Sequence, residues 1–162
     1  MKELYDLEEC LLDDDGSCRD ITYKESTWPG VKDLVTHLCT SYGTFHCADN
    51  NGKELKSLDE ILDHLANIKT TASFALHLDN YDELINWLNV FVFLNNDDTP
   101  SIELSFSPRN INKVYDLRKK FIIWANEKKS ILQASLYVVG YESSFSQFED
   151  IQPETGIFFI SD

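Results

Sequence analysis

Glycine is scarce in this sequence, and long apolar runs are missing. The 162 residues include six glycines, scattered along the chain, so the glycine-rich loop that cradles phosphate groups is absent. There is no Gly-x-Ser-x-Gly motif, which would mark a serine hydrolase. Apolar runs such as Val90 to Leu94 fall far short of the about 20 residues that span a membrane. These absences count against a nucleotide-phosphate site, a serine hydrolase and a membrane-spanning protein.

The N-terminus and the cysteines both indicate an intracellular protein. Glu3 and Asp6 stand within the first six residues, where a secretory signal peptide would carry basic and then apolar residues. Four cysteines are present, but disulfide bonds need an oxidising compartment. We therefore expect a cytoplasmic protein whose thiols are reduced and serve mostly as small core residues. These cysteines are Cys10, Cys18, Cys39 and Cys47.

Basic residues are few and unevenly distributed. The chain has 14 Lys and Arg against 28 Asp and Glu, a formal net charge of −14 at pH 7. Residues 70–108 and 130–162 contain no Lys or Arg, whereas residues 109–129 contain seven. Direct nucleic-acid binding is disfavoured because phosphates need Lys and Arg, and anionic membrane surfaces are disfavoured for the same reason. An acidic surface does attract basic proteins.

Hydrophobic periodicity predicts a mixture of strands and helices. An N-terminal hairpin is predicted, with Tyr5–Leu12 and Cys18–Tyr23 on either side of an Asp-Gly turn. Apolar spacing and capping residues such as Thr27 and the box Ser57/Glu60 predict helices. The helices are expected at residues 27–42, from residue 57 and at residues 109–128, with a short helical turn at 81–86. Further strands are expected at residues 44–48, 72–78, 87–94, 101–106, 136–139 and 157–160.

The order of these elements indicates the fold class. Strands and helices do not alternate regularly, which argues against a parallel doubly wound sheet. We predict a single α+β domain over residues 1–162, with a mostly antiparallel sheet and about three helices packed on it. The apolar run of residues 87–94 is typical of a strand covered on both faces. The alternation in residues 101–106 predicts a solvent-facing side made of Ser101, Glu103 and Ser105.

Two groups of residues resemble metal ligands but lack the required spacing. Asp13-Asp14-Asp15-Gly16 resembles part of a calcium loop, yet Leu11 and Thr22 stand where that loop needs carboxylates at its ends. We interpret the segment as a turn. A second group lacks the paired spacing of structural zinc sites. It consists of His37, Cys39, His46 and Cys47. We expect no metal and no cofactor.

The basic stretch is predicted to be an amphipathic helix. Phe121 and Trp124 share its apolar stripe, so they are expected to pack into the core rather than stack on bases. Nucleic-acid or membrane binding by such a helix is an alternative. A solvated outer face balancing nearby acids is the favoured interpretation. That outer face is predicted to carry Arg109, Lys113, Arg118, Lys120 and Lys128.

The segment Leu11-Leu12-Asp13-Asp14-Asp15-Gly16-Ser17-Cys18-Arg19-Asp20-Ile21 resembles the opening of small bacterial immunity proteins. These proteins protect a cell from toxins delivered between neighbours, as in contact-dependent growth inhibition. The similarity covers about the first 30 residues, and the acidic α+β character of the chain matches the same type. The resemblance implies a protein partner, and many such toxins are nucleases with basic clefts that carboxylates can cover.

The leading hypothesis is therefore a non-enzymatic immunity protein that binds a basic, nuclease-like toxin domain through an acidic surface. One alternative is an acidic adaptor or nucleic-acid mimic that binds a host DNA- or RNA-binding protein. Another is an enzyme, which a pocket converging on His37, His46 or Cys47 would support. The contact residues are predicted from the clustering of acids in turns and loops. They are Asp13, Asp14, Asp15, Asp79, Asp82, Glu83, Asp97 and Asp98.

Overall fold

Nine strands, four α-helices and a 3-10 helix make up the computed structural model, which describes residues 1–42, 44–49, 51–67, 74–79, 84–95, 97–141 and 156–162. The helices are α1 (Leu7–Leu12), α2 (Trp28–Ser41), α3 (Leu58–Ala66) and α4 (Leu117–Leu132), and the 3-10 helix is Pro108–Asn110. The strands are β1 (Lys2–Glu3), β2 (Arg19–Lys24), β3 (Thr44–Ala48), β4 (Glu54–Leu55), β5 (Phe74–Asp79), β6 (Leu88–Leu94), β7 (Pro100–Phe106), β8 (Leu136–Tyr141) and β9 (Ile157–Ile160).

The nine described strands form one sheet in the order β1-β9-β8-β2-β7-β6-β5-β3-β4. Every pairing between them is antiparallel. The long strands β2, β7 and β6 lie near the middle, and the two-residue strands β1 and β4 form the edges. Short edge strands expose few unpaired backbone groups, which limits pairing with other chains. The predicted antiparallel sheet is confirmed.

One face of the sheet packs against the helices. Ile21 of β2 lies opposite Leu104 of β7, which in turn lies opposite Val90 of β6. All three are fully buried, and alternate residues of each strand share their face because side chains alternate along a strand. This face forms one core with apolar residues of α2, α3 and α4. Those helix residues include Val31, Leu34, Val35, Leu38, Ile61, Leu65, Phe121, Trp124 and Ala125. The α+β class is therefore confirmed.

Helix starts were predicted from local capping signals, and the structure confirms two of them. Thr27 accepts a hydrogen bond from the Gly30 N–H at 3.1 Å and caps α2. Ser57 accepts one from the Glu60 N–H at 3.2 Å and caps α3. Glu60 itself accepts from the Lys56 N–H rather than from Ser57, so the reciprocal half of the predicted box is shifted by one residue. Helix α2 ends at Ser41, and Tyr42, the last residue of the predicted helix, is its C-cap.

The N-terminal hairpin prediction is wrong, because its first arm is helix α1. Asp6 caps this helix by accepting from the Glu9 N–H at 3.0 Å, and Glu3 accepts from the Leu7 N–H at 2.9 Å. Leu7 and Leu11 are both fully buried and four residues apart, which is helical spacing. Acidic residues in the first turn also suit a helix N-terminus. The predicted turn survives as the α1–β2 connection, where Gly16 has a φ of 89°.

The long basic helix begins later than predicted. Residues 108–110 form the separate 3-10 helix, and Ile111 forms an isolated bridge with Ile85. Asp116 then adopts the left-handed conformation at φ 57°, so α4 starts at Leu117. Ile85 falls within the predicted helical turn at 81–86, of which residues 81–83 lie outside the described residues. The bridge shows that its described end is extended instead.

Two predictions about exposure are also wrong. Ser101 and Ser105 of β7 are 3% and 6% exposed, because β7 lies between β2 and β6 and polar side chains meet the serines there. Asn95, for example, donates to the Ser101 hydroxyl at 2.9 Å. Strand β6 is fully buried on the helix side only, since Phe91 and Phe93 on the other face are half-buried. Strand β5 is Phe74–Asp79, and residues 72–73 of the predicted strand lie outside the described residues.

Candidate interaction site

The predicted contact acids are divided between the two ends of the sheet. Residues 13–15 lie in the α1–β2 connection, next to the end of β7 because Arg19 pairs with Phe106. Asp97 and Asp98 lie in the β6–β7 turn, at the other end of β7. Strand β7 has seven residues, a length of about 20 Å. The two groups therefore do not form a single acidic patch.

Asp79 lies at the same end of the sheet as the α1–β2 connection. It is the last residue of β5, opposite Thr44 of β3. Strands β7 and β6 stand between β2 and β5, which corresponds to a separation of about 14 Å at the usual strand spacing. Asp82 and Glu83 lie outside the described residues.

The α1–β2 connection is built around the buried side chain of Arg19. The guanidinium is fully buried and stacks on the Tyr141 ring, with its carbon 4.4 Å from the ring centroid. It donates to the Cys10 carbonyl at 2.6 Å, to the Ser17 carbonyl at 3.0 Å and to the Asp13 carbonyl. A planar fork of donors suits several acceptors at once. One buried cation thus gathers backbone carbonyls of an acidic loop and leaves the carboxylates of Asp13 and Asp14 outside.

Asp15 is held inside this network. Its carboxylate accepts from the Ser17 hydroxyl at 2.7 Å, from the Ser17 N–H at 3.0 Å and from Arg19 at 3.2 Å. These contacts, above all those with Ser17, lower the pKa of Asp15 to about 2. Asp15 therefore stays ionised at neutral pH and contributes to the loop structure.

Asp14 and Asp13 point the remaining charge of the loop outwards. Asp14 accepts from Arg109 of the 3-10 helix at 2.8 Å, an ion pair whose side chains are 44% and 73% exposed. Exposed ion pairs are weak and can exchange partners. Asp13 is exposed, and no ion pair to another described residue is seen at its carboxylate. Asp13 and Asp14 are thus the loop acids that a partner could reach.

The acids of the β6–β7 turn have structural roles. Asp97 accepts from the Thr99 hydroxyl at 2.6 Å and from the Thr99 N–H at 3.1 Å, and these bonds lower the pKa of Asp97. Asp98 adopts a φ of 62°, and its carbonyl accepts from the Trp28 indole at 3.0 Å. This turn is tied to the start of α2 rather than to the α1–β2 connection.

The basic residues predicted on one outer helix face lie in different environments. Arg109 and Lys113 precede α4, and Arg118 pairs with Glu3 at 2.5 Å. Lys128 was predicted to be outside but is fully buried. Its ammonium group lies 2.9 Å from Glu127 and 4.8 Å from the Trp124 ring centroid. Lys120, in contrast, is exposed as predicted.

The cysteine and histidine candidates do not assemble into a site that the structure describes. Burial raises the pKa of Cys39 and of Cys47 to about 12, so both thiols are protonated and unreactive at neutral pH. In the described ranges, no three His, Cys, Asp or Glu side chains could together hold a metal ion. A cleft of about 230 Å³ lies between the β3–β4 turn and α3, and it does not include His37, His46 or Cys47. Its lining is Asp49, Lys53, Leu55, Glu60, Asp63, His64 and Asn67.

Two features were missed in the sequence. The burial of Arg19 has a weak local signal, an arginine at the start of an apolar strand after an acidic turn. Tyr115, just before α4, is 93% exposed, and no role was predicted for it from the sequence. The sequence around Tyr115 does not indicate this exposure, because the left-handed conformation of Asp116 interrupts the helix that the apolar pattern predicts.

The antiparallel sheet with helices on one face belongs to the α+β class, and comparisons with known proteins agree with this architecture. Neither a protein-family model nor a curated protein sequence matches the chain. The fold is similar to that of a chain in the crystal structure of the toxic C-terminal tip of CdiA from Pseudomonas aeruginosa in complex with its immune protein. The match covers 90% of this chain and 95% of that chain, with a TM-score of 0.61 and 9% sequence identity.

The resemblance to immunity proteins inferred from residues 11–21 is thus matched by a likeness of fold to a toxin–immunity complex. At this identity the likeness concerns the fold alone. Within the described ranges, no helix combines the length and apolar character that crossing a membrane requires.

Proposed function

We propose that this chain is an immunity protein that binds and neutralises a cognate toxin domain of the contact-dependent growth inhibition type. The observation that carries the proposal is the likeness of fold, over nearly the whole of both chains, to a chain of the CdiA–immune protein complex. The resemblance of Leu11–Ile21 to the opening of immunity proteins supports it independently. Under this proposal the chain is a cytoplasmic, single-domain, non-enzymatic inhibitor.

The charge of the chain favours the inhibitor role over the toxin role. A net charge of −14 suits a protein that covers a basic, phosphate-binding cleft, because opposite charges steer the two proteins together and speed capture. We propose a basic, nuclease-like domain as the partner. Asp13 and Asp14 of the α1–β2 connection are its first contacts, since the loop presents them to solvent on a rigid support.

The other predicted acids are assigned by their position. Asp79 lies at the same end of the sheet as the loop and extends the proposed acidic surface, whereas Asp82 and Glu83 stay contacts predicted from the sequence alone. Asp97 and Asp98 lie at the far end of β7 and are the weakest members of the proposed contact set. Asp15 supports the loop from inside.

The proposal is tested with the toxin domain encoded directly upstream of the gene. That domain is expressed from an inducible promoter with and without this chain, and growth is recorded. We expect the chain to restore growth and to form a one-to-one complex with the toxin domain in light scattering and calorimetry. The P. aeruginosa CdiA tip serves as a non-cognate control, and no protection against it is expected.

Three results would contradict the proposal. The chain could inhibit growth when expressed alone, which would assign it the toxin role. It could fail to bind the upstream domain, or it could bind without restoring growth.

The surface assignment is tested separately by the double variant Asp13→Lys/Asp14→Lys, which should bind the toxin domain more weakly and associate more slowly at low salt. Unchanged association would remove the loop from the interface.

A further inference from the structure

The outward side of α4 carries apolar side chains among lysines. Tyr115, just before the helix, is 93% exposed, and Ile123 is 59% exposed. Lys119 and Lys120 between them are exposed as well. Lys119 and Ile123 are one helical turn apart and share a side of the helix. We refer to Tyr115, Lys119, Lys120 and Ile123 as the α4 surface.

The α4 surface has a rigid support. On the opposite side of the helix, Phe121 and Ala125 are fully buried. The Phe121 ring lies 6.1 Å from that of Phe106, and the Tyr23 hydroxyl donates to the Ala125 carbonyl at 3.1 Å. Tyr115 precedes this fixed helix by two residues, and a tyrosine side chain has few rotatable bonds to order on binding, which favours it as an interface anchor.

The lysines of this surface belong to the basic stretch 109–129, in which seven basic residues outnumber two acids, Asp116 and Glu127. The neighbouring arginines are paired, Arg118 with Glu3 and Arg109 with Asp14. In the part of the chain that the structure describes, neither Lys119 nor Lys120 forms an ion pair. Asp116 lies one turn before these two lysines, but the stretch as a whole is basic, with seven bases against two acids in a chain of net charge −14. Such a patch is complementary to carboxylates.

The charge pattern also decides between possible occupants. A two-fold dimer through the α4 surface would bring its lysines against their own copies, and a head-to-tail contact would build open chains. Nucleic acid is disfavoured by the net charge of the chain. The occupant that fits is a different protein, whose contacting surface carries carboxylates around an apolar pocket.

The α4 surface adjoins the acidic α1–β2 connection. Asp14 of that connection pairs with Arg109 at 2.8 Å, and Tyr115 is six residues further along the chain, a reach of at most about 20 Å. Both surfaces therefore fit within one interface of ordinary size, about 800 Å² on each partner.

We propose that the α4 surface docks an acidic, pocket-bearing region of the same toxin domain that Asp13 and Asp14 contact through its basic region. This inference rests on the proposed function. An interface with both signs of charge admits only a partner with the matching arrangement, because a partner of uniform charge meets repulsion on one side. The α4 surface is thus a specificity determinant as well as an anchor.

The test measures binding of the toxin domain encoded upstream to four purified variants of the full chain. Tyr115→Ala is expected to weaken binding at least tenfold, and Tyr115→Phe to retain most of it because the ring remains. Lys119→Glu/Lys120→Glu is expected to weaken binding about tenfold and to slow association, more so at low salt. Lys53→Glu/Lys56→Glu makes the same change in net charge at exposed positions near β4, the opposite edge of the sheet, and should bind like the wild type.

Three outcomes would overturn the inference while leaving the proposed function intact. Tyr115→Ala and the Lys119/Lys120 variant could both bind like the wild type. The Lys119/Lys120 variant could bind more tightly, which would mean a basic partner surface at α4. The wild type could bind duplex DNA in a manner lost on reversal of these lysines, which would assign the surface to nucleic acid. Failure of the wild type to bind the toxin domain would instead overturn the proposed function, and this inference with it.

Discussion

Replacement of Arg19 by methionine is expected to destabilise the protein strongly. The guanidinium is fully buried and donates to the carbonyl oxygens of Cys10, Asp13 and Ser17, which all belong to the end of α1 and the α1–β2 connection. Methionine keeps much of the apolar stem but offers no donor. The variant therefore removes the hydrogen bonds without leaving a large cavity. The decrease in the free energy of unfolding then measures the contribution of the polar network itself.

The magnitude follows from the acceptors that lose their donor. A partly buried acceptor left unsatisfied costs about 1–3 kcal/mol, and four backbone carbonyls are affected, since Arg19 also donates to the Cys18 carbonyl at 3.3 Å. Water reaches part of this loop because its outer residues are exposed. Water can bond to some of the freed carbonyls, so the total cost is smaller than the sum of the separate costs. We expect a loss of about 3–5 kcal/mol, the range for removing one partner of a buried charged network. Since a domain has about 5–15 kcal/mol of stability in all, the effect is large.

The assay is urea unfolding at pH 7, followed by circular dichroism and tryptophan fluorescence. Arg109→Met is the matched control, because it removes an arginine that pairs with an acid of the same loop but is 73% exposed; its unfolding midpoint should stay near that of the wild type. Arg19→Lys should fall between the two, since an ammonium group cannot reach the same acceptors as a planar fork. Equal midpoints for Arg19→Met and Arg109→Met would refute the idea that Arg19 organises the loop.

Three further predictions concern single groups elsewhere in the molecule. The pKa of Asp15 falls from 3.8 to about 2 on folding, so its contribution to stability is present above pH 4 and is lost as the pH falls towards 2; Asp15→Asn should flatten this part of the curve of urea midpoint against pH. A Cβ atom at Gly30 would lie 2.5 Å from the Leu132 carbonyl oxygen, so Gly30→Ala should cost about 1–3 kcal/mol in thermal unfolding. Cys39 and Cys47, with pKa values near 12, should resist thiol reagents at pH 8 until urea unfolds the chain, as followed by mass spectrometry.

Each of these predictions has a result that contradicts it. An unchanged pH profile in Asp15→Asn would mean that the carboxylate is not held by its loop. Gly30→Ala should be compared with Thr40→Ala on the exposed side of α2, and equal melting temperatures would mean that α2 and α4 do not cross closely at Gly30. Rapid labelling of Cys39 or Cys47 in the native protein would show that its thiol is accessible.

The local signals in the sequence predicted much of the secondary structure. The starts of α2 and α3 follow from Thr27 and Ser57, because a capping side chain bonds to an N–H only three residues ahead. The prediction of a strand for the N-terminal arm, residues 5–12, was wrong because a capping signal was overlooked there. The apolar residues of this arm fit a loose alternation and a helical spacing equally well, and the cap at Asp6 decided between them. That the 162 residues form a single domain stays a prediction.

The candidate site was predicted in part. The sequence shows which acids lie in turns, but which of them lie close together in space depends on strand order. That order places residues 13–15 and Asp97 at opposite ends of β7. Which acids are available also depends on partners. Asp15 is bound within its own loop, whereas Asp14 bonds to Arg109, which is 95 residues away in sequence.

By itself, the sequence determined the α+β class, the antiparallel character of the sheet and the acidic field of the protein, because these properties depend on local periodicity and on composition. Only the tertiary structure decided which charges are inside. Arg19 and Lys128 are fully buried, although both belong to a residue type that is ordinarily exposed. Their burial depends on acceptors and aromatic rings that the fold brings to them, such as Tyr141 over Arg19. Tyr115 is exposed for the complementary reason, since the chain turns at Asp116 before α4 begins.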